Sequence, residues 1–395
     1  MNTINQIIAI TLMNLRNIPS RFGASLVIIV GIAGVVTVLV ALLAMAKGFE
    51  ATLKGTGQPD RAIVMRSGST SEMTSGVSAS HGRIIETKPG LADSNNGALA
   101  AGELYVIADI RKRANNSEAN MPMRGVQPNS FLIRDEVKIV AGRNFEFGRF
   151  EMIAGVKAAD QFHGIDVGST VSIRGADWKL VGLFESNGSI HESEVWVDHA
   201  VLVSNLKRGN GYSSMVVRLL SPLDLDVFRQ SLGDDPQLEV SVVRETKYYS
   251  EQSTGITSLI TQFGYGVSII MAIGAVFGAL NTMYSAVSTR SVEIATLRAL
   301  GFGPTPVVIS VMVEALALSI IGGLIGGLIA WTLFNGYTAS TMSNSTFSQV
   351  SFSFSVTGEL LLRGIVWSCM LGLIGGLFPS VAAARQPVTA ALRGL

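Results

Sequence analysis

The chain has 395 residues, 48% of them hydrophobic and 15% charged, with a net charge of +1. A soluble domain carries roughly 25% charged residues, and the deficit here is uneven. Of the 59 charged residues, 48 (22 basic, 26 acidic) lie at positions 48–261, which leaves 11 for the other 181 positions. That division excludes one large soluble enzyme and implies a soluble domain set inside a membrane protein. The absence of any basic patch excludes nucleic acid as a partner.

In chain order, Ile4, Ile7, Ile8, Leu12 and Leu15 recur at helical spacing, with Asn2, Asn5, Gln6, Asn14 and Arg16 elsewhere on the wheel. Residues 1–20 read as an amphipathic helix lying on a membrane surface and ended by Pro19, or as an ordinary helical lead-in. The first span occupies 21–47, where residues 22–46 carry no charge; at about 1.5 Å per residue this run crosses a ~30 Å hydrocarbon core. A soluble domain follows at 48–261, then spans at 262–289, 307–335 and 359–385. An uncharged Ser/Thr/Asn-rich loop fills 336–358, and a tail fills 386–395. Four spans put both termini on one side. The first segment (Arg16, Arg21), the 290–306 link (Arg290, Arg298 against Glu293) and the tail (Arg385, Arg393) carry the basic excess. The positive-inside bias therefore places both termini and that link in the cytoplasm.

Small residues four apart recur at Gly274/Gly278, Gly322/Gly326, Gly323/Gly327 and Gly372/Gly376. They serve either a dimer interface or packing within one four-helix subunit. Glu314 is the one charge inside the third span, either a buried functional carboxylate or a group at headgroup level near the cytoplasmic end. The spans otherwise lack the inward charges of a solute pathway. Cys369, the only cysteine, reads as a packed thiol.

The soluble domain alternates strands and turns, with strands expected at 62–66, 103–110, 123–126, 137–140, 152–155, 170–174, 179–184, 194–197 and 214–219. Gly175, Ala176 and Asp177 read as a hairpin turn, 212–249 as strand–helix–strand with Ser221 as cap, and 67–80 as a mobile loop. His191, Glu192, Glu194, Asp198 and His199 form a dense cluster, but without metal-ligand spacing they read as solvated turn and edge residues. No nucleophile–base motif is present, which argues against an enzyme, and no metal site is expected.

In the 290–306 link, Glu293 sits three residues from Arg290, close enough to pair on a helix. Gly301 supplies a stop, and Pro304 and Pro306 break the chain before the third span. The run V-S-T-R-S-V-E-I-A-T-L-R-A-L-G, ending at Gly301, resembles the segment after the second span of the MacB/FtsX-like ABC transporter permeases. The tail G-L-I-G-G-L-F-P-S-V-A-A-A-R-Q-P-V-T-A-A-L-R (372–393) and the opening L-M-N-L-R-N-I-P-S-R are similar to that family's closing and leading segments. So are the phrases R-G-V-Q-P-N-S at Arg124, A-G-R-N-F at Ala141 and E-S-E-V-W-V-D at Glu192.

The resemblance implies a four-helix membrane protein with an α+β periplasmic domain inserted between helices 1 and 2, including a β-rich insertion at about 131–211. It implies a coupling helix at 290–306, with Arg290, Glu293, Ile294, Leu297, Arg298 and Gly301 receiving the motion of an ATPase. The sequence has no G-x-x-x-x-G-K-[ST] phosphate loop. ATP and Mg are therefore expected on two copies of a separate ATPase subunit, with no cofactor on this chain. A second copy of the permease and a periplasmic adaptor (membrane fusion) protein are the other implied partners, in a bacterial inner membrane. Export or efflux is the favoured branch and lipoprotein extraction the alternative; outside the family, a sensor or scaffold remains open.

Overall fold

In the computed structural model the described residues are 3–16, 22–95, 97–207, 209–343 and 347–387. Pro19, Arg21 and Arg393, on which expectations above rest, lie outside them. The helices are α1 Thr3–Arg16, α2 Phe22–Lys54, α3 Ala79–Ile85, α4 Pro128–Ile133, α5 Val156–Gln161, α6 His199–Asn205, α7 Leu225–Gly233, α8 Glu245–Thr289, α9 Ser291–Ala299, α10 Pro304–Phe334 and α11 Gly358–Arg385. The strands are β1 Arg61–Arg66, β2 Val77–Ser78, β3 Asp93–Ser94, β4 Gly97–Ala98, β5 Ala100–Arg111, β6 Glu118–Val126, β7 Lys138–Gly142, β8 Glu151–Gly155, β9 Thr170–Ile173, β10 Ala176–Glu185, β11 Val195–Asp198, β12 Gly211–Tyr212, β13 Ser214–Arg218, β14 Val240–Arg244, β15 Thr338–Met342 and β16 Gln349–Ser353. The chain divides into two units: Met1–Lys47, Ser258–Tyr337 and Phe354–Leu395 form one, Gly48–Thr257 and Thr338–Ser353 the other.

The first unit is helical. Among the described residues, four helices (α2, α8, α10 and α11) are long and apolar enough to cross a membrane. Its core gathers Ile32, Val36, Leu39 and Val40 of α2, Val311, Ala315 and Leu318 of α10, Met283 and Val287 of α8, and Leu360 of α11. α8 leaves Phe263, Ile270 and Phe277 exposed, an apolar surface suited to lipid. Pro304 and Pro306 do not break the chain before the third span. They occupy the first turn of α10, where the missing N–H has no helical partner to lose. α11 runs unbroken through Pro379 to Arg385.

The second unit is built on a ten-stranded mixed sheet in the order β14-β1-β13-β5-β6-β11-β8-β10-β7, with β9 beside β10. The β6–β11 and β8–β10 pairs are parallel and the rest antiparallel. One core, with Met121, Met123, Met152, Phe162, Trp178 and Leu180, fills one half. A second, with Val64, Met215, Val217, Phe228 and Leu232, fills the other. Ser221 caps the turn ahead of α7 as the sequence suggests, its side chain accepting from Leu223 N–H.

Three further expectations need correction. The β9–β10 hairpin turns on Arg174 and Gly175, both at positive φ (50° and 78°), not on Gly175–Asp177. Two successive left-handed residues are what a two-residue turn between twisted strands demands. Residues 67–80 are not simply a loose loop: they hold a 3-10 turn at Glu72–Thr74, and Glu72 is 2% exposed. The segment 336–358 is not a plain loop either. β15 and β16 form an antiparallel hairpin that belongs to the second unit. Ser351 N–H donates to Ser193 Oγ (3.0 Å), Tyr105 Oη bonds Ser348 Oγ (2.8 Å), and Phe352 meets the Phe49 ring edge-on.

Candidate functional site

Two constellations stand out, one in each unit. In the helical unit, α8 stops at Thr289 and α9 starts at Ser291, so Arg290 is the single residue between two helices. Its backbone, at φ −101° and ψ 7°, takes the N-cap position of α9. Its side chain pairs with Glu314 instead of Glu293. Nη1 donates to Glu314 Oε2 of α10 over 2.8 Å, with both side chains about 95% buried. The expected Arg290–Glu293 pair is thus replaced by a pair 24 residues apart, and Glu293 is exposed. Glu314 is itself buried, 5% exposed.

α9 ends as its sequence implies. Gly301 has φ +93°, its N–H bonds Arg298 C=O (3.1 Å), and Phe302 N–H reaches back to Leu297 C=O (3.1 Å). This double closure satisfies the last carbonyls and requires a left-handed residue, hence glycine. Arg298 Nη1 donates to the carbonyl of Gln386, the C-cap of α11 (2.7 Å). Gly303 N–H donates to Gln6 Oε1 of α1 (3.4 Å), and Asn14 Nδ2 to Ser310 Oγ (3.1 Å). Ile294 and Ala295 are buried, while Glu293, Thr296, Ala299 and Leu300 face outward, Leu300 at 73% exposure. The result is a short helix, closed at its C-terminus and fixed to α10 at one end and to α11 at the other, with an open mixed face.

The glycines of the spans sort by neighbour. A Cβ on Gly326 would lie 2.5 Å from Ala33 C=O, and one on Gly322 2.9 Å from Ile29 C=O, so both line the α2–α10 contact. Gly323 and Gly372 meet Ser368 and Ser319, Gly376 meets Ala315, and Gly327 meets Leu361, all across α10 and α11. Gly274 and Gly278 have open space beside them.

In the second unit the fold assembles a buried ionic network that no local sequence pattern announces. Arg124 of β6 holds Glu194 through Nε and Nη2 (2.8 Å each), Glu72 through Nη1 and Nη2 (2.8 and 3.1 Å), and Glu103 of β5 through Nη1 (2.9 Å). Arg134 also pairs with Glu103, and its Nη2 lies 3.5 Å from Glu245, the first residue of α8. Arg61 of β1 clasps Glu136 (2.7 and 2.6 Å) and sits 3.8 Å from Glu245. Burial by itself raises the Glu194 carboxyl, but Arg124 and His191 outweigh it and hold it well below the carboxylate range. Glu103 is likewise lowered, against its burial, by Arg134 and Arg124. Glu136, partly buried and bound by Arg61, falls to about 2.

The sequence pattern around His191 suggests solvated turn and edge residues, and the structure buries them. His191, Glu192, Glu194, Asp198 and His199 are 1–8% exposed. Each is bonded within the fold. His191 Nδ1 lies 3.2 Å from Glu194, Glu192 accepts from Ser186 and Gly188 N–H, Asp198 caps α6, and His199 Nε2 faces Gly211 C=O.

The comparisons with known proteins agree in two segments. Residues 22–234 match the model of the MacB-like periplasmic core domain, and residues 265–388 that of the FtsX-like permease C-terminal region. The macrolide export ATP-binding/permease protein MacB of Pasteurella multocida (strain Pm70) is 24% identical over 305 residues, covering 72% of this chain and 45% of that protein. The protein of the same description from Hahella chejuensis is 23% identical over 240 residues, 58% of this chain and 35% of that one. This chain therefore spans less than half the length of either. The lipoprotein-releasing system transmembrane protein LolC of Xylella fastidiosa (strain Temecula1) is 23% identical over 406 residues, 93% of each.

Proposed function

The chain belongs to the MacB/FtsX-like family of ABC transporter permeases, and on that premise we propose that it works as a transmission subunit. In this reading a separate ATPase, acting as a pair against two copies of this chain, closes on ATP and pushes α9. The helices shift as packed bodies, and the inserted domain moves to drive export from a bacterial inner membrane, together with an adaptor protein. Both termini and α9 then face the cytoplasm, as the loop charges imply.

The observation that carries this reading is α9 itself. It is closed at its C-terminus by Gly301, tied to α10 by Arg290–Glu314 and to α11 by Arg298–Gln386, and open on the face of Glu293, Thr296 and Leu300. A load-receiving element needs that combination of fixed ends and a free face. The spans supply no polar route that would favour conduction: among the described residues, Arg290–Glu314 is the one ion pair buried in the helical unit.

A second reading, lipoprotein extraction, is favoured by the Xylella fastidiosa relative, which matches nearly end to end. Co-purification of the full chain from native membranes tests both. An ATPase with an adaptor supports export, and an ATPase with a bound lipoprotein supports extraction. Absence of any ATPase from the purified chain contradicts the proposal.

A further inference from the structure

We propose that Arg290 and Glu314 form the pin through which a push on α9 reaches α10, so that Glu314 is a positioning residue of the coupling and not only part of the helix packing. The inference deepens the transmission reading above and rests on it.

Three observations converge. First, Arg290 is the only residue between α8 and α9. Its N–H bonds Val287 C=O (3.1 Å) and its C=O accepts from Ile294 N–H (2.9 Å), but its φ of −101° and ψ of 7° break the regular helix at this one residue, which is where a transmitted movement bends the chain. Left alone, such a joint absorbs a push on α9 as rotation about Arg290.

Second, the side chain of that same residue crosses to α10 and meets Glu314, 11 residues into the helix and thus about three turns from its start. The joint is thereby tied sideways to a rigid rod. Tilting α9 must then displace α10, whose glycines pack it against α2 and α11.

Third, Glu314 is the one carboxylate bonded to the guanidinium among the described residues, since Arg290 Nε and Nη2, both buried, make no hydrogen bond there. A small cavity of about 20 Å³ bordered by Arg290, Glu293, Asn14 and Ser310 adjoins the pair. At that size it holds about one water molecule, so Arg290 has no wide space beside Glu314 into which to swing. An Arg–carboxylate contact inside an apolar bundle is directional and costly to break, which suits a pin better than a sliding contact.

The test uses the full chain in lipid vesicles with its ATPase subunit, comparing the parent, Glu314→Gln, and the exchanged pair Arg290→Glu with Glu314→Arg. Two quantities are read: affinity for the ATPase, and the effect of the chain on ATP turnover by the complex. The pin predicts that Glu314→Gln keeps the affinity within about twofold while the effect on turnover falls on the order of tenfold, and that the exchanged pair restores it. A purely structural role would lower affinity and turnover together. That result overturns the inference, as does a Glu314→Gln chain that matches the parent in turnover or an exchanged pair that folds and binds without restoring it. A parent chain that binds no ATPase overturns the transmission reading itself, and is told apart by occurring without any substitution.

Discussion

Arg124 and Glu194 face each other across two hydrogen bonds of 2.8 Å inside the inserted domain, with side chains 1% and 2% exposed. The same guanidinium also holds Glu72 and Glu103, so β5, β6, the approach to β11 and the 3-10 turn after β1 are bound through one cation. Desolvating that many charges is expensive, and the network is favourable only while each partner is present.

Arg124→Met leaves three buried carboxylates without their shared cation. We expect the inserted domain to lose about 3–5 kcal/mol of stability. Denaturant unfolding followed through Trp178 and Trp196, both fully buried there, measures it. Arg229→Ala, which removes an exposed partner of Asp226, serves as the control and should change little. Equal effects of the two would show that the network is not what holds this domain.

The same carboxylates set a pH dependence. Glu194 and Glu103 are lowered in the fold and Glu136 lies at about 2, all below the ordinary 4.5. A lowered folded value means the unfolded chain binds protons first on acidification, so the stabilisation is complete above about pH 5 and is lost progressively toward pH 2. Unfolding midpoints measured from pH 7 to pH 2.5 should be flat to about pH 5 and then fall. A midpoint that stays level through pH 3 contradicts the assignment.

Close approach of α2 and α10 depends on Gly326, where a Cβ would meet Ala33 C=O at 2.5 Å, whereas Gly274 borders open space. Gly326→Val should lower the thermal midpoint of the detergent-solubilised chain by an overpacking cost of about 1–3 kcal/mol. Gly274→Ala should leave it unchanged or slightly raised. The reverse order would mean that the packing seam lies on α8.

The β15–β16 hairpin is seated by Phe352, which is fully buried and stacked edge-on with Phe49. Phe352→Ala removes that ring and should cost about 3–5 kcal/mol, seen as new protease cleavage within 338–353 of the intact chain. Unchanged cleavage would show the hairpin to be held by its polar bonds alone.

The spans were legible because a run of some 20 uncharged residues has few other meanings, and positions 22–46 and 364–384 announce themselves. Most strands of the inserted domain were legible for the same reason of pattern, from Ala62–Arg66 to the cap at Ser221. The buried network was not. Arg124, Glu72, Glu103, Glu194 and Glu245 come from five elements far apart in sequence, and a lone charge in a strand reads as a solvent-facing one. His191 and its neighbours misled in the same way. Arg290 shows how local spacing fails at a helix break: three residues to Glu293 suggests a pair on one helix face, but Arg290 stands outside α9, and its side chain is free to reach Glu314. Pro304 and Pro306 were legible as punctuation but misread, since proline stops a helix and also starts one.

The central claim is that α9 receives an ATPase, and the affinity of the purified ATPase subunit for the full chain in lipid vesicles tests it most directly. Glu293→Lys and Leu300→Asp change exposed positions on the open face of α9, and Lys247→Glu changes an exposed position of the inserted domain. The account predicts that each α9 substitution weakens binding at least on the order of tenfold, about 1.4 kcal/mol, while Lys247→Glu leaves it intact. Unaltered binding by the chain carrying both α9 substitutions would contradict it.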